Sequence, residues 1–155
     1  MKIQKLVGFL LAAYVPCCWA LSPCDSINRS ISESEKVRLA PILAKQLKRH
    51  LDVTKVSVLQ AFKYGTWQIY YVEPQDWDAV YLFFSNDPEK IEYLNLWGGV
   101  ARPEEEADVL SWTNKKVPGI PSTLAKCFAY HVTQESGKQP AGKRTRPIAS
   151  VGLVL

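Results

Sequence analysis

Two aspartates on either side of a tryptophan are the residues whose type and spacing best suit acid–base chemistry. Asp76 and Asp78 flank Trp77 in the polar segment EPQDWD. A pair of carboxyl groups held about 5 to 10 Å apart in a cleft can hydrolyse glycosides. Aspartates at this density are also typical of turns, because their side chains bond the local backbone. A hydrolase that uses Asp76 and Asp78 is therefore one hypothesis for function, and the least favoured of three.

The histidine and cysteine residues give weaker evidence of a chemical site than the aspartate pair does. His131 follows Cys127 by four residues, so on a helix both side chains would share one face and form half of a metal site. No second pair of ligands accompanies them, and the chain has no Gly-rich phosphate loop, nucleophile elbow, HExxH or CxxC motif. The sequence predicts a protein that is not an enzyme and takes no metal and no cofactor.

Aromatic residues are the most distinctive feature, at 11% of the chain. Alternation along a strand places Trp67 and Tyr71 on one face, so Tyr70 points to the other, and Trp77 stands in a loop. Rigid rings with a polar edge suit protein recognition or stacking on a sugar. If the terminal helices cover the far face of the sheet, the rings belong to the core instead. The candidate binding residues are Trp67, Tyr70, Trp77, Tyr81 and Trp97.

A first helix is predicted from Ile31 to Leu51. Ser32, with Glu35 three residues later, fits a capping box, and Ser30 with Glu33 offers the same pattern earlier in the chain. Pro41 should kink this helix or divide it, because proline has no N–H for the helical ladder. Apolar positions recur at spacings of three and four, which predicts one buried stripe. The stripe consists of Val37, Ala40, Ala44, Leu47 and Leu51.

Beyond Val53 the apolar period changes to alternation, which predicts four strands. The turns between them are short, and short connections join antiparallel neighbours because parallel ones need a long crossover. The continuous apolar run from Ala79 to Phe84 is typical of a central strand buried on both faces. The other strands are predicted from Val56 to about Phe62, from Trp67 to Tyr71 and from Ile91 to Trp97.

Two short helices are predicted next, one beginning at Pro103 and one over 124–131. The segment 133–155 lacks any period and is rich in Gly, Pro and basic residues, which predicts a disordered basic tail. We therefore expect a single α+β domain at 21–132 within the 155 residues. In it, an N-terminal helix packs on a four-stranded antiparallel meander sheet and two short helices follow.

The first twenty residues resemble an export signal. Lys2 and Lys5 precede an apolar core from Leu6 to Val15, and small residues stand one and three positions before a cut after Ala20. The apolar run is too short to span a bilayer, which takes about 20 residues. We expect a cleaved signal peptide at 1–20 and a secreted or periplasmic protein of bacterial type.

Cleavage would remove Cys17 and Cys18 and leave Cys24 and Cys127. In an oxidising compartment, two remaining cysteines most simply form one disulfide bond. The four residues that end at Cys24 also form a partial lipobox, the signal for a lipidated N-terminal cysteine. Pro23 is unfavourable there, and lipidation would leave Cys127 as an odd thiol. The disulfide is the main expectation, and membrane contact is limited to the signal peptide or a lipidated Cys24.

The net charge of +4 does not belong to the predicted domain. Of 19 basic and 15 acidic residues, two lysines lie in the signal peptide, and four basic residues with one acid lie in the tail. The domain at 21–132 keeps 13 basic and 14 acidic residues, a net charge of −1. Because nucleic acids select basic surfaces, we expect no nucleic-acid partner.

Three functions remain for this exported domain. The favoured one is a non-catalytic domain that binds another exported or envelope protein, as an inhibitor or immunity protein does. The second is a binder of cell-envelope glycan, or of a small ligand, that uses an aromatic face of the sheet. The third is the hydrolase.

Overall fold

The computed structural model describes residues 22–49, 53–75, 77–99 and 101–136. The elements are α1 (Glu33–Leu47), β1 (Val56–Tyr64), β2 (Trp67–Pro74), β3 (Val80–Phe84), β4 (Asn95–Gly98), α2 (Glu106–Lys116) and α3 (Ser122–Tyr130). The four strands lie in the order of the chain and pair antiparallel, which confirms the meander. The order of helix, sheet and helices confirms the α+β class.

α1 begins at the later of the two predicted caps. The Ser32 hydroxyl accepts a hydrogen bond from the Glu35 backbone N–H at 3.2 Å. Pro41 lies inside one continuous helix, so the helix is not divided. The carbonyl that Pro41 leaves without a donor belongs to Val37, a residue that is 74% exposed, so water can reach it.

The buried stripe of α1 matches the predicted one only in its second half. Ala44 and Leu47 are buried as predicted, and they are joined by Leu39 and Leu43. Val37, the first member of the predicted stripe, faces solvent instead. Three leucines spaced four apart bury more apolar area than a stripe that begins with valine and alanine. The larger buried area favours the rotation of α1 about its axis that places the leucines against the sheet. Leu51 lies outside the described residues.

Helices cover both faces of the sheet. On one face α1 packs with Tyr70 and Leu82, and on the other α2 and α3 pack with Tyr81 and Phe83. All five residues of β3 are buried between these layers, as the apolar run predicts. The two terminal helices therefore form a third layer on the face opposite α1.

β4 starts later than predicted because a side chain of α1 forms hydrogen bonds with the backbone of the segment that precedes β4. The Gln46 side-chain amide donates to the carbonyls of Pro88 at 2.9 Å and Ile91 at 3.1 Å. The Gln46 oxygen accepts from the Tyr93 N–H at 3.1 Å. With these backbone groups satisfied by a side chain, the segment remains a loop, and pairing with β3 starts only at Asn95.

The C-terminal helix runs past its predicted end. α3 continues into a π-helical turn, His131–Glu135, in which Thr133 is buried. The fold therefore extends beyond the boundary expected after Val132. The rest of the predicted tail, 137–155, lies outside the described residues.

Cys24 and Cys127 are joined by the predicted disulfide bond, with Cα atoms 4.7 Å apart. Both residues are buried in the core beneath α2 and α3, so the bond ties the N-terminal segment to α3. The predicted signal peptide at 1–20 lies outside the part of the chain that the structure describes. Within that part, no helix has the length and apolar character needed to cross a membrane.

Candidate functional site

The five candidate binding residues do not form one exposed surface. Tyr70 and Tyr81 are only 1% and 2% exposed and belong to opposite cores. Trp67 and Trp97 are half-buried on the side of α2 and α3. Trp77, at 50% exposure, is the one of the five that presents a large apolar surface to solvent. Tyr70 and Tyr81 are therefore core residues, because helices cover both faces of the sheet.

Trp77 lines a concave pocket with a volume of about 360 Å³, here called the Trp77 depression. Both hydrogen-bond donors and hydrogen-bond acceptors line the depression, among them one carboxylate and one ammonium group. The lining residues are Lys55, Val56, Ser57, Glu73, Pro74, Gln75 and Trp77.

The open end of the β1–β2 hairpin positions this depression. The Gln75 backbone N–H donates to the Lys55 carbonyl at 3.1 Å, which extends the pairing of the two strands. Beyond this pair, the backbone N–H of Trp77 donates to the Pro74 carbonyl at 3.4 Å. Trp77 therefore lies beside the paired ends of β1 and β2.

Glu73 belongs both to the depression and to the surroundings of half-buried Tyr71. Burial raises the pKa of the Tyr71 phenol, and the negative charges of Glu73 and Asp78 raise it further. The phenol therefore stays neutral at physiological pH and keeps its proton for hydrogen bonding. Asp76, the other member of the predicted hydrolase pair, lies outside the described residues.

A series of ring contacts connects Tyr71 with His131 in the π-helical turn. Tyr71 and Tyr81 stack with ring centroids 4.3 Å apart. The His131 ring lies 6.0 Å from Tyr81 and 4.7 Å from Phe62. Burial raises the pKa of the Tyr81 phenol well above its usual range, so this ring is neutral as well.

Arg29, His131 and Glu135 meet at the π-helical turn and are here called the His131 cluster. His131 Nδ1 lies 2.7 Å from Glu135 Oε2, and Arg29 Nη2 lies 2.9 Å from the same oxygen. Since a carboxylate only accepts, Nδ1 carries the proton and donates it. The 3.3 Å approach of Arg29 to Nδ1 then joins two donors and is not a hydrogen bond. The Arg29 guanidinium also lies 5.1 Å from the centre of the Phe62 ring.

The fold favours neutral His131 beside an ionised Glu135. Burial lowers the pKa of His131, and although the hydrogen bond to Glu135 opposes this, the Arg29 charge lowers it further. Burial alone would raise the pKa of Glu135, but its bonds to His131 and Arg29 lower it overall. The cluster is therefore a carboxylate that accepts hydrogen bonds from both a neutral imidazole and a guanidinium.

Acidification is expected to destabilise the wild type more than a His131→Asn variant. Because the pKa of His131 is lowered by folding, the unfolded state binds the extra proton first as the pH falls through about 6.5. The free energy of unfolding therefore decreases as the pH falls from about 6.5 toward the pKa that His131 has in the folded state. Asparagine retains a donor close to the position of Nδ1 and does not titrate. Urea unfolding at about pH 7.5 and about pH 5.5 measures the difference.

At these pH values most carboxylates stay ionised, and His50 is present in both proteins, so the comparison isolates His131. Equal losses of stability in the two proteins would contradict a lowered His131 pKa.

Sequence reasoning missed the His131 cluster. The spacing of four between His131 and Glu135 was a usable signal, because such side chains meet on a helix. Arg29, however, stands 102 residues before His131, and no local pattern connects them. Cys127 is bonded to Cys24, so its sulfur is not available to bind a metal ion together with His131. Nowhere in the described ranges do three or more His, Cys, Asp or Glu side chains gather in a way that could hold a metal ion.

Comparison with known protein families, characterised proteins and solved structures finds no match to this chain. Its function is therefore argued from the site itself.

Proposed function

We propose that this protein is an exported, non-catalytic protein-binding domain, inhibitor-like or immunity-like, whose contact with its partner is centred on the Trp77 depression. The observation that carries the proposal is the 50% exposure of Trp77 beside a concave polar surface. Tryptophan is among the residues most enriched at the positions that dominate binding energy in protein interfaces.

The surroundings of Trp77 match the anatomy of an interface. An apolar anchor within a polar rim is the usual arrangement at recognition surfaces. Lys55 and Gln75 supply donors, while Glu73 and the amide oxygen of Gln75 supply acceptors. A partner side chain can fill the depression while its polar neighbours pair with this rim.

The hairpin that carries the depression supports tight binding because it is rigid. β2 is hydrogen-bonded on both sides, to β1 and to β3, and the sheet is packed between helices. A surface held in place before binding loses little conformational entropy when the partner arrives.

Recognition through side chains is favoured over addition of a strand to the sheet. Asn28 bridges the β1 edge at Lys63 with backbone hydrogen bonds of 3.1 and 2.9 Å, and the same strand has a bulge between Val58 and Gln60. At the other edge, β4 has only four residues. Bulged, bridged or short edges pair poorly with another chain.

Two further observations support a non-catalytic, exported role. His131 is 3% exposed and its Nδ1 is bonded to Glu135, which suits a structural histidine better than an acid–base catalyst. A buried disulfide is typical of proteins that fold in an oxidising compartment.

A glycan binder is the second candidate. The specific observation in its favour is that Glu73 and Gln75 lie in the same depression as the exposed Trp77. An indole face with hydrogen-bonding groups beside it can hold a sugar ring by its apolar face and its hydroxyl groups.

Trp77→Ala is expected to weaken binding of the protein partner roughly 30-fold or more, the effect of losing an interface hot spot. The matched control is Tyr64→Ala, since Tyr64 is an exposed aromatic residue at the closed end of the same hairpin. A stoichiometric partner is first isolated on immobilised wild type from envelope and culture fractions. Its affinity for the three purified proteins is then measured by calorimetry.

The proposal fails if Trp77→Ala and Tyr64→Ala bind the isolated partner equally well. The glycan candidate is tested separately by titrating peptidoglycan fragments while tryptophan fluorescence is recorded. A change that Trp77→Ala removes would favour the glycan binder, and a flat titration would count against it.

A further inference from the structure

We propose that the protein partner presents a dipolar feature to the Trp77 depression, namely a carboxylate and a cationic side chain at neighbouring positions of its surface. The carboxylate pairs with Lys55 and the cation pairs with Glu73. This inference rests on the proposed function and deepens it, because it names the chemistry that a protein must carry to fill the depression.

The register of the β1–β2 hairpin places both charged residues on one face of the sheet. Ser57 lies opposite Glu73, and the bond from the Gln75 N–H to the Lys55 carbonyl continues this register. Because side chains alternate between the two faces, the four residues of these two pairs share one face. Lys55 and Glu73 are diagonal neighbours there, and the Cβ atoms of such neighbours lie about 7 Å apart. An ammonium group and a carboxylate therefore stand side by side in the depression.

Neither of these two charges is neutralised within the part of the chain that the structure describes. The ion pairs found there involve other residues, for example Lys63 with Glu35 and Arg29 with Glu135. Lys55 is exposed and Glu73 is partly buried, and both line the depression. Both charges are therefore available to a bound partner.

A partner that covers the depression must supply a counter-charge for each of these groups. Covering removes water from the ammonium group and from the carboxylate, and a charge that is buried without a counter-charge weakens binding strongly. A partner with a single kind of charge would satisfy one group and place a like charge beside the other. The lining therefore selects a partner surface that carries both signs.

Selection by this lining acts at contact, because its net charge is zero. One ammonium group and one carboxylate produce little field beyond the Debye length of about 10 Å at 0.1 M salt. Attraction at longer range, which depends on a surplus of one sign, favours neither an acidic nor a basic partner. The positions of the partner's two charges therefore decide the fit, with the exposed Trp77 indole as the apolar anchor beside them.

Four blocked tripeptides test this selection on the purified full chain. Acetyl-Lys-Leu-Glu-amide and acetyl-Glu-Leu-Lys-amide carry both signs, and in extended form their charged residues lie about 7 Å apart. Acetyl-Lys-Leu-Lys-amide and acetyl-Glu-Leu-Glu-amide carry one sign each. Each peptide is titrated while the Trp77 indole N–H, assigned through Trp77→Phe, is followed in ¹H–¹⁵N spectra. We expect the tighter dipolar peptide to have a millimolar Kd about three- to five-fold below that of either single-sign peptide, the ratio for one additional exposed ion pair.

Neutralising each charge in turn identifies the sign of the occupant. Lys55→Gln and Glu73→Gln should each weaken the dipolar peptide by about three- to five-fold. An anionic occupant would instead gain affinity from Glu73→Gln, and a cationic one from Lys55→Gln. The matched controls are Lys45→Gln on α1 and Asp108→Asn on α2, which remove exposed charges elsewhere and should leave the Kd unchanged.

Three outcomes would overturn the proposal. The first is a single-sign peptide that binds as tightly as the better dipolar peptide. The second is a dipolar peptide whose affinity is unchanged or increased by Lys55→Gln or by Glu73→Gln. The third is a Trp77 resonance that no peptide shifts at about 20 mM, well above the expected Kd.

The same variants, measured against the isolated protein partner, separate this inference from the proposed function. If Trp77→Ala weakens that complex while Lys55→Gln and Glu73→Gln leave it unchanged, the depression is the interface and the dipolar partner is wrong. If Trp77→Ala and Tyr64→Ala bind the partner equally well, the proposed function itself fails.

Discussion

Replacing Phe128 with alanine is expected to lower the free energy of unfolding by about 3 to 5 kcal/mol. Phe128 lies on α3 and is fully buried. Its ring centroid lies 5.2 Å from Tyr81 and 4.9 Å from Phe83, both in edge-on geometry. Truncation would remove these contacts and leave a cavity between α3 and the sheet. Since such domains are stable by about 5 to 15 kcal/mol, the variant would lose a large share of its stability.

Urea unfolding followed by tryptophan fluorescence measures this loss. Lys126→Ala is the matched control, because Lys126 is exposed on the same helix, and we expect a change within about 0.5 kcal/mol. Phe128→Leu, which retains apolar volume, should lose less than Phe128→Ala and keeps the comparison measurable if the alanine variant does not fold. A loss below about 1 kcal/mol for Phe128→Ala would contradict the packing of α3 on the sheet.

Removing the disulfide with Cys24→Ala and Cys127→Ala is expected to cost about 2 to 5 kcal/mol. The bond joins residues 103 apart, and the chain-entropy treatment gives an upper figure of about 4.7 kcal/mol for a loop of that length. The N-terminal segment would still be held by the Asn28 bridge to Lys63 and by the ion pair of Arg29. We therefore expect a destabilised protein with the same fold.

Reducing agent provides the control for the disulfide. It should lower the urea midpoint of the wild type to about that of the double variant, and leave the double variant unchanged. A non-reducing mass measurement of the wild type should find no free thiol at Cys24 or Cys127. Two free thiols, or equal midpoints for the oxidised wild type and the double variant, would contradict a stabilising bond.

Phe128 and the disulfide stabilise the same layer of the fold. Cys127 precedes Phe128 on α3, and both side chains lie in the core that covers the far face of the sheet. Because the two sites are in contact through one core, their effects should not add. This layer also buries Tyr81. Trp77 lies outside the layer and is the exposed member of the predicted aromatic set.

The local features of the fold were predictable from neighbouring residues. The cap at Ser32 depends on residues three apart, and the burial of β3 on both faces depends on a continuous apolar run. The antiparallel meander followed from the short turns, which leave no room for a parallel crossover. The disulfide followed from the cysteine count once Cys17 and Cys18 were assigned to a signal peptide.

By itself, therefore, the sequence determined the order and type of the elements and the partner of Cys24. Tertiary structure alone decided the phase of α1, the late start of β4 at the Gln46 side chain, and the contact of Arg29 with the distant Glu135. It also decided which of the candidate rings reach solvent. The physical reason is that capping, turns and periodicity act between near neighbours, whereas burial depends on which layers cover a face, and those layers come from distant parts of the chain.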